Sequence, residues 1–321
     1  MPDRSYGGIL TGRPVWVGRD RLTRPEAGKL EASGTTAQGR GTSADREREY
    51  HVQPVAGLDS VRWFPFSQRF GQKVVPSASM DIFDDLTAEQ DRVEAILDAY
   101  DTDVWMSPSG CPGWTVTDVV LHLAQSEEWV IASVAGHLPA FAASSGSSVD
   151  DFVDAIVRAE RADPNVVFDR WRTARRAAVK ALREVDPQHR LPWVTNRITP
   201  RALATTRLAE HWAHGLDITD PFDVPFPDTD RLRHIAWLGH RSLPYAFSLA
   251  GQESHEVFCE LTGPSGATWC YGPPDAASTI SGSAGAFCRV GAQRLAPEAS
   301  GLTTAGPHGA TALRILRNYA S

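Results

Sequence analysis

Glu210 and His214 stand four residues apart in the segment RLAEHWAHGLDI, and on a helix that spacing puts both on one face, one turn apart. With Leu203, Arg207 and Asp217 they form a stripe spaced 4, 3, 4, 3, mostly ionisable where a bundle helix is ordinarily apolar. A carboxylate oxygen and an imidazole nitrogen converging on one point, joined by a second imidazole from a facing helix, form a His₂Glu donor set suited to zinc. His122, inside the apolar run VVLHLAQSEEWV, is the best placed third donor. Asp217, one turn past His214, is positioned to orient that histidine's free ring nitrogen. His211 adjoins Glu210 but points about 100° away, so it is expected to lie outside the site. Cys111 reads as part of a structural turn rather than as a nucleophile. The spacing alone is weak. Glu and His four apart are common on solvated faces, and a lone mid-helix histidine is ordinarily a hydrogen-bonded core residue.

The elements that must carry these residues are legible from capping and periodicity. Thr87 with Gln90 gives a start signal for a first helix, whose stripe is Val93, Ile96, Leu97 and Tyr100. A loop rich in Pro and Gly, SPSGCPGW, leads to Thr115 with Asp118, a capping box opening the helix that carries His122. After a Ser/Ala/Gly-rich loop near 142–148, VDDFVDAIVRAE predicts a short helix and VVFDRWRTARRAAVKALREV a long, Arg-rich amphipathic one. Thr199 as N-cap and Pro200 at N1 open the helix with Glu210 and His214. RLRHIAWLGHRSLPYAF predicts a helix running to the proline at 244. Four main helices with moderate connections indicate a bundle. Beyond it, EVFCELTGPSGATWCYG predicts a β-hairpin turning at GPSG, followed by helical signals in SAGAFCRVGAQRL and HGATALRILRNYA. The expected fold class is therefore mainly α: a helical bundle over 80–248, then a small α+β domain over 249–321.

Composition bounds the alternatives. The net charge of −7 is uneven: residues 1–79 hold 12 Lys+Arg against 8 Asp+Glu, and residues 80–321 hold 20 against 31. A body carrying −11 lacks the basic face that phosphate neutralisation needs, so nucleic acid is not expected as a partner. No run approaches 18 apolar residues, no secretory signal opens the chain, and the four cysteines show no CxxC spacing, so a cytoplasmic protein is expected. Residues 1–79 carry 10 of the 26 glycines and show no period of 3.6 or 2. They are expected to be a disordered extension, or to precede a true start at Met80.

Two segments together, CPGWTVTDVVLHLA (111–124) and RLAEHWAHGLDI (207–218), resemble the mycothiol-dependent maleylpyruvate isomerase family, part of the DinB-like group of metal-binding four-helix bundles. The resemblance covers about residues 82–321. It implies a divalent metal, typically zinc, held by His122, Glu210 and His214, and mycothiol as thiol cosubstrate. It also implies that the C-terminal part is related to sterol-carrier modules and helps to close the active site, with Arg294 facing it and Arg289 as a competing arginine. In such a site a metal-held thiolate attacks a small electrophile. Loss of the thiol after bond rotation makes the enzyme an isomerase, and its retention makes it an S-transferase. Two other classes fit the residues: a zinc-dependent hydrolase using metal-bound water, and a non-catalytic ligand-binding module stabilised by metal.

Overall fold

In a computed structural model, residues 81–137, 149–194 and 196–318 are described. The expectations for residues 1–79 and for the 142–148 loop lie outside the described residues.

Helix α1 (Ile82–Asp98) is capped six residues before the predicted cap, Thr87. Asp81 is the N-cap, accepting from the Phe83 N–H, because Ile82 and Phe83 have apolar contacts to make that only a longer helix can deliver. Thr87 is interior, and its hydroxyl donates to the Phe83 carbonyl. A short α2 (Thr102–Met106) precedes α3 (Val116–Val134), which carries the expected reciprocal capping box of Thr115 and Asp118. Helix α4 (Val149–Ala159) is short and strongly amphipathic. Helix α5 (Pro164–Glu184) is capped by Asp163 and followed by strands β1 (Leu191–Trp193) and β2 (Asn196–Ile198), a small antiparallel pair. Helix α6 (Pro200–Thr219) starts as expected, with Thr199 accepting from the Ala202 N–H.

Helices α1, α3, α5 and α6 form the bundle, and its interior holds Trp171, Trp212, Leu121, Leu123 and Leu203 at under 2% to 2% exposure. Burial of such side chains, at ~25 cal/mol per Å² of apolar surface removed from water, is what holds the four helices together.

Pro244 does not end a helix. Helix α7 (Leu232–Arg241) stops three residues earlier, and Pro244 lies in the first turn of α8 (Leu243–Leu249). A first-turn proline gives up an N–H that has no intrahelical partner, so the residue starts a helix as readily as it stops one.

The C-terminal part has the expected hairpin, β3 (Val257–Thr262) with β4 (Thr268–Tyr271), in register Cys259 with Tyr271 and Thr262 with Thr268. Two strands that the sequence did not announce complete the sheet, β5 (Ser278–Ser283) and β6 (Thr303–Ala305). The order is β4-β3-β5-β6, with β5 parallel to β3. The chain must therefore cross the start of β3 between β4 and β5. Gly272, at φ 87°, makes that crossing where a Cβ would meet the Val257 carbonyl oxygen. Helix α9 (Ala284–Gly291) and helix α10 (Gly309–Ile315) flank the sheet, and α9 packs on α7. Among the described residues no helix is long and apolar enough to cross a membrane.

Candidate metal centre and active site

Helices α3 and α6 lie side by side, and their facing stripes bring His122, Glu210 and His214 together. Glu210 Oε2 is 3.4 Å from His122 Nε2 and 3.4 Å from His214 Nε2, and all three donor atoms lie within 4.8 Å of one another. The two imidazole rings meet edge-on with centroids 5.0 Å apart. Donors on a tetrahedral zinc with arms of ~2.0–2.1 Å are about 3.4 Å apart, so both measured edges match the chemistry of the set. Burial lowers the His122 pKa, which leaves a neutral imidazole with a lone pair to give. Burial alone would raise Glu210, but hydrogen bonds from His122 and His214 hold its carboxyl well below the usual range. Two histidine nitrogens and one carboxylate oxygen thus fit a divalent cation.

Asp217 collects four donors. His214 Nδ1 approaches Asp217 Oδ2 at 2.9 Å, and because a carboxylate only accepts, Nδ1 carries a proton; Nε2 faces Glu210, to which it donates when protonated and where a bound cation would take that proton's place. Arg294, just beyond α9, donates through Nε to Asp217 Oδ1 at 2.7 Å and through Nη2 to Oδ2 at 2.5 Å. The Cys111 thiol donates to Oδ2 at 3.1 Å and stands 3.7 Å from His214 Nδ1. Burial pushes the Asp217 pKa up, but His214 and Arg294 outweigh it and hold the carboxylate far below its ordinary value. Burial pushes the Cys111 thiol up, consistent with its role as a donor. Burial lowers His214, yet Asp217, Cys111 and Glu210 together raise it well above the ordinary histidine value.

The five residues singled out in the sequence are thus contiguous. His122, Glu210 and His214 converge, Asp217 backs His214, and Arg294 reaches Asp217 from the C-terminal part. Arg289 is elsewhere: it grips Asp228 through Nη1 at 2.7 Å and Nη2 at 3.0 Å. Arg207 shares the α6 stripe in sequence but turns inward, with Nε 3.0 Å from Glu127 Oε1, both side chains 3% exposed or less. His211 is fully buried on the other side of α6, with Nδ1 2.8 Å from the Arg207 carbonyl and Nε2 accepting from the Trp171 indole at 3.2 Å.

Cys111 is the residue whose position the sequence did not convey. The signal was its place in the loop that feeds α3. The Gly110 N–H donates to the Asp217 carbonyl at 2.8 Å, and a Cβ on Gly110 would sit 2.9 Å from Asp217 Cα. Glycine is what lets this loop press on the end of α6 and present the thiol.

Residues 86–219 match the family description "Mycothiol maleylpyruvate isomerase N-terminal domain". The chain belongs to this family. The matched span contains His122, Glu210, His214 and Asp217, while Arg294 lies beyond it. The matched residues fall within the helical bundle, and the small α+β region follows them. An uncharacterized protein of Mycobacterium tuberculosis is 35% identical over 217 residues, 66% of this chain and 84% of that one, and its counterpart in a second strain matches equally. A solved mycothiol-dependent maleylpyruvate isomerase aligns at 16% identity and a TM-score of 0.47, covering 70% of this chain and 91% of that one.

Proposed function

We propose that the chain is a metal-dependent enzyme using mycothiol as cosubstrate, a transferase or isomerase acting on a small electrophile, and that it works in the cytoplasm. The observation that carries this reading is the convergence of His122 Nε2, Glu210 Oε2 and His214 Nε2 within 4.8 Å in a member of this family. When bound there, a divalent cation, for which zinc suits the donor set, lowers the pKa of a thiol and so supplies a nucleophile near neutral pH.

The chain's own residues do the rest. His122 and His214 each present Nε2, and Glu210 contributes the negative charge that offsets the cation. Asp217 holds the Nδ1 proton of His214 and so fixes the tautomer that leaves Nε2 free to bind. Arg294 fixes Asp217 in turn and brings a positive charge to the edge of the site, where it can orient an anionic group on the thiol or the electrophile. His122 and His214 side chains are each 12% exposed and that of Glu210 is 28% exposed, so the site is partly open to solvent.

Metal analysis of purified protein, paired with turnover of monobromobimane at fixed mycothiol, tests this reading. About one zinc per chain and a thiol-dependent rate are expected, both lost in His122→Ala. Turnover that does not need thiol would instead mark a hydrolase.

A further inference from the structure

His122 and His214 are held in different ways. His214 Nδ1 has Asp217 as its acceptor at 2.9 Å, whereas His122 Nδ1 is buried with no hydrogen-bond partner among the described residues. A metal-binding histidine ordinarily fixes its ring by giving the proton of that second nitrogen to an acceptor. His122 lacks this anchor, so another contact must set the angle at which its Nε2 meets Glu210.

The Trp114 indole supplies one. Its ring lies against the His122 ring, with centroids 5.5 Å apart and planes tilted by 49°. A ring contact of this kind orients a partner only when one of the two rings is itself fixed. Trp114 is fixed at both backbone and side chain. Its N–H donates to the Cys111 carbonyl at 3.1 Å, and its carbonyl accepts from the Ser109 N–H and hydroxyl, each at 2.9 Å. Its indole Nε1 donates to Asp154 Oδ1 at 2.8 Å. Asp154 belongs to α4, which is clamped to α3, the helix that carries His122. Val157 of α4 is fully buried, and Arg161, just past the end of α4, donates to both oxygens of Asp118 at 2.8 Å. One short turn thus serves both histidines: Cys111 Sγ stands 3.7 Å from His214 Nδ1, and Trp114 packs on His122.

We propose that Trp114, fixed by Asp154, is the positioning residue of His122, doing by ring packing what Asp217 does for His214 by a hydrogen bond. The inference rests on the metal-centre reading for its consequence: His122 Nε2 is aimed at the site before any cation arrives. Without the brace the ring gains freedom, and the cost of ordering it again is taken from metal affinity.

Zinc affinity by chelator competition and histidine-ring NMR spectra of the metal-free chain test this. Asp154 is the informative position, because its side chain is 41% exposed and folding is not at stake there. Asp154→Leu removes the acceptor of the indole N–H, and Asp154→Asn keeps an acceptor while removing the charge. Trp114→Leu should weaken zinc binding about tenfold and Asp154→Leu about threefold, with Asp154→Asn close to the parent. In metal-free Asp154→Leu the His122 ring signals, identified by their absence from His122→Ala, should broaden while those of His214 stay sharp. Asp154→Asn as weak as Asp154→Leu, equal broadening at both histidines, or affinity and ring signals unchanged in Asp154→Leu and Trp114→Leu overturns the proposal. A parent chain that binds no zinc defeats the metal reading instead, and the ring signals of the metal-free chain still decide this one.

Discussion

Arg294 and Asp217 form a two-point ion pair across 77 residues of sequence, with Nε at 2.7 Å and Nη2 at 2.5 Å from the two carboxylate oxygens. The pair joins the C-terminal part to the helix that carries Glu210 and His214, two of the three candidate metal donors, and its carboxylate also holds His214. Charge on the arginine is thereby transmitted to the basicity of a ligand one residue removed.

Arg294→Lys replaces a planar fork by a point charge that cannot engage both oxygens. Turnover, zinc affinity, or both should fall about 10- to 100-fold, the usual loss on disturbing the partner of a metal-binding histidine. Chelator competition measures the affinity, and kcat against KM separates loss of ligand support from loss of substrate orientation.

Metal removal should lower stability, because the three donors come from two helices and ligation favours only the folded arrangement. A free metal concentration a hundredfold above Kd adds about 2.7 kcal/mol. That corresponds to roughly 5–10 °C in Tm for a unit of this size. Calorimetric scans with and without chelator check it, and His122→Ala should show no difference between the two.

The Glu127–Arg207 pair is almost fully buried, with Glu127 Oε2 and Arg207 Nη2 lacking partners. Arg207→Met leaves Glu127 as an uncompensated buried acid and should destabilise the fold by about 3–5 kcal/mol. The double variant Glu127→Leu with Arg207→Met should recover most of that loss. Urea unfolding of the two single variants and the double variant measures the coupling.

Asp118 is pushed up by burial, but Arg161 and the Thr115 cap outweigh this and leave its pKa lowered in the folded protein. A lowered folded value means that the contribution to stability is present above the unfolded carboxylate value of about 3.9 and is lost as pH falls below it, through the folded value. Asp118→Asn should therefore flatten the acid limb of the stability–pH curve while leaving its shape above neutrality unchanged, as read from urea midpoints.

Local chemistry made most of the bundle legible. The Thr115–Asp118 box and the Thr199–Pro200 start are signals written within three residues, and the structure uses both. Thr87 misled because the same local motif occurs inside a helix, and only the burial of Ile82 and Phe83 reveals that the helix has already begun. Strands β5 and β6 were silent. STISGS and TTA carry little apolar alternation, and their pairing is supplied by neighbours distant in sequence.

The α6 stripe and His122 could be aligned from helical geometry. The Arg207–Glu127 pair, 80 residues apart, and the seating of Cys111 on Asp217 depend on tertiary approach, which no spacing encodes.

Helix α6 is keyed beside the donors. Arg207 is fixed to Glu127 and His211 to Trp171, so the helix cannot turn about its axis without breaking both. Length changes in the loops at either end should then be absorbed outside the site. A single residue inserted between Arg207 and Glu210 would instead swing Glu210, His211 and His214 together by about 100° relative to Arg207, so that keeping Arg207 on Glu127 would aim the donors away from His122 and take His211 off Trp171.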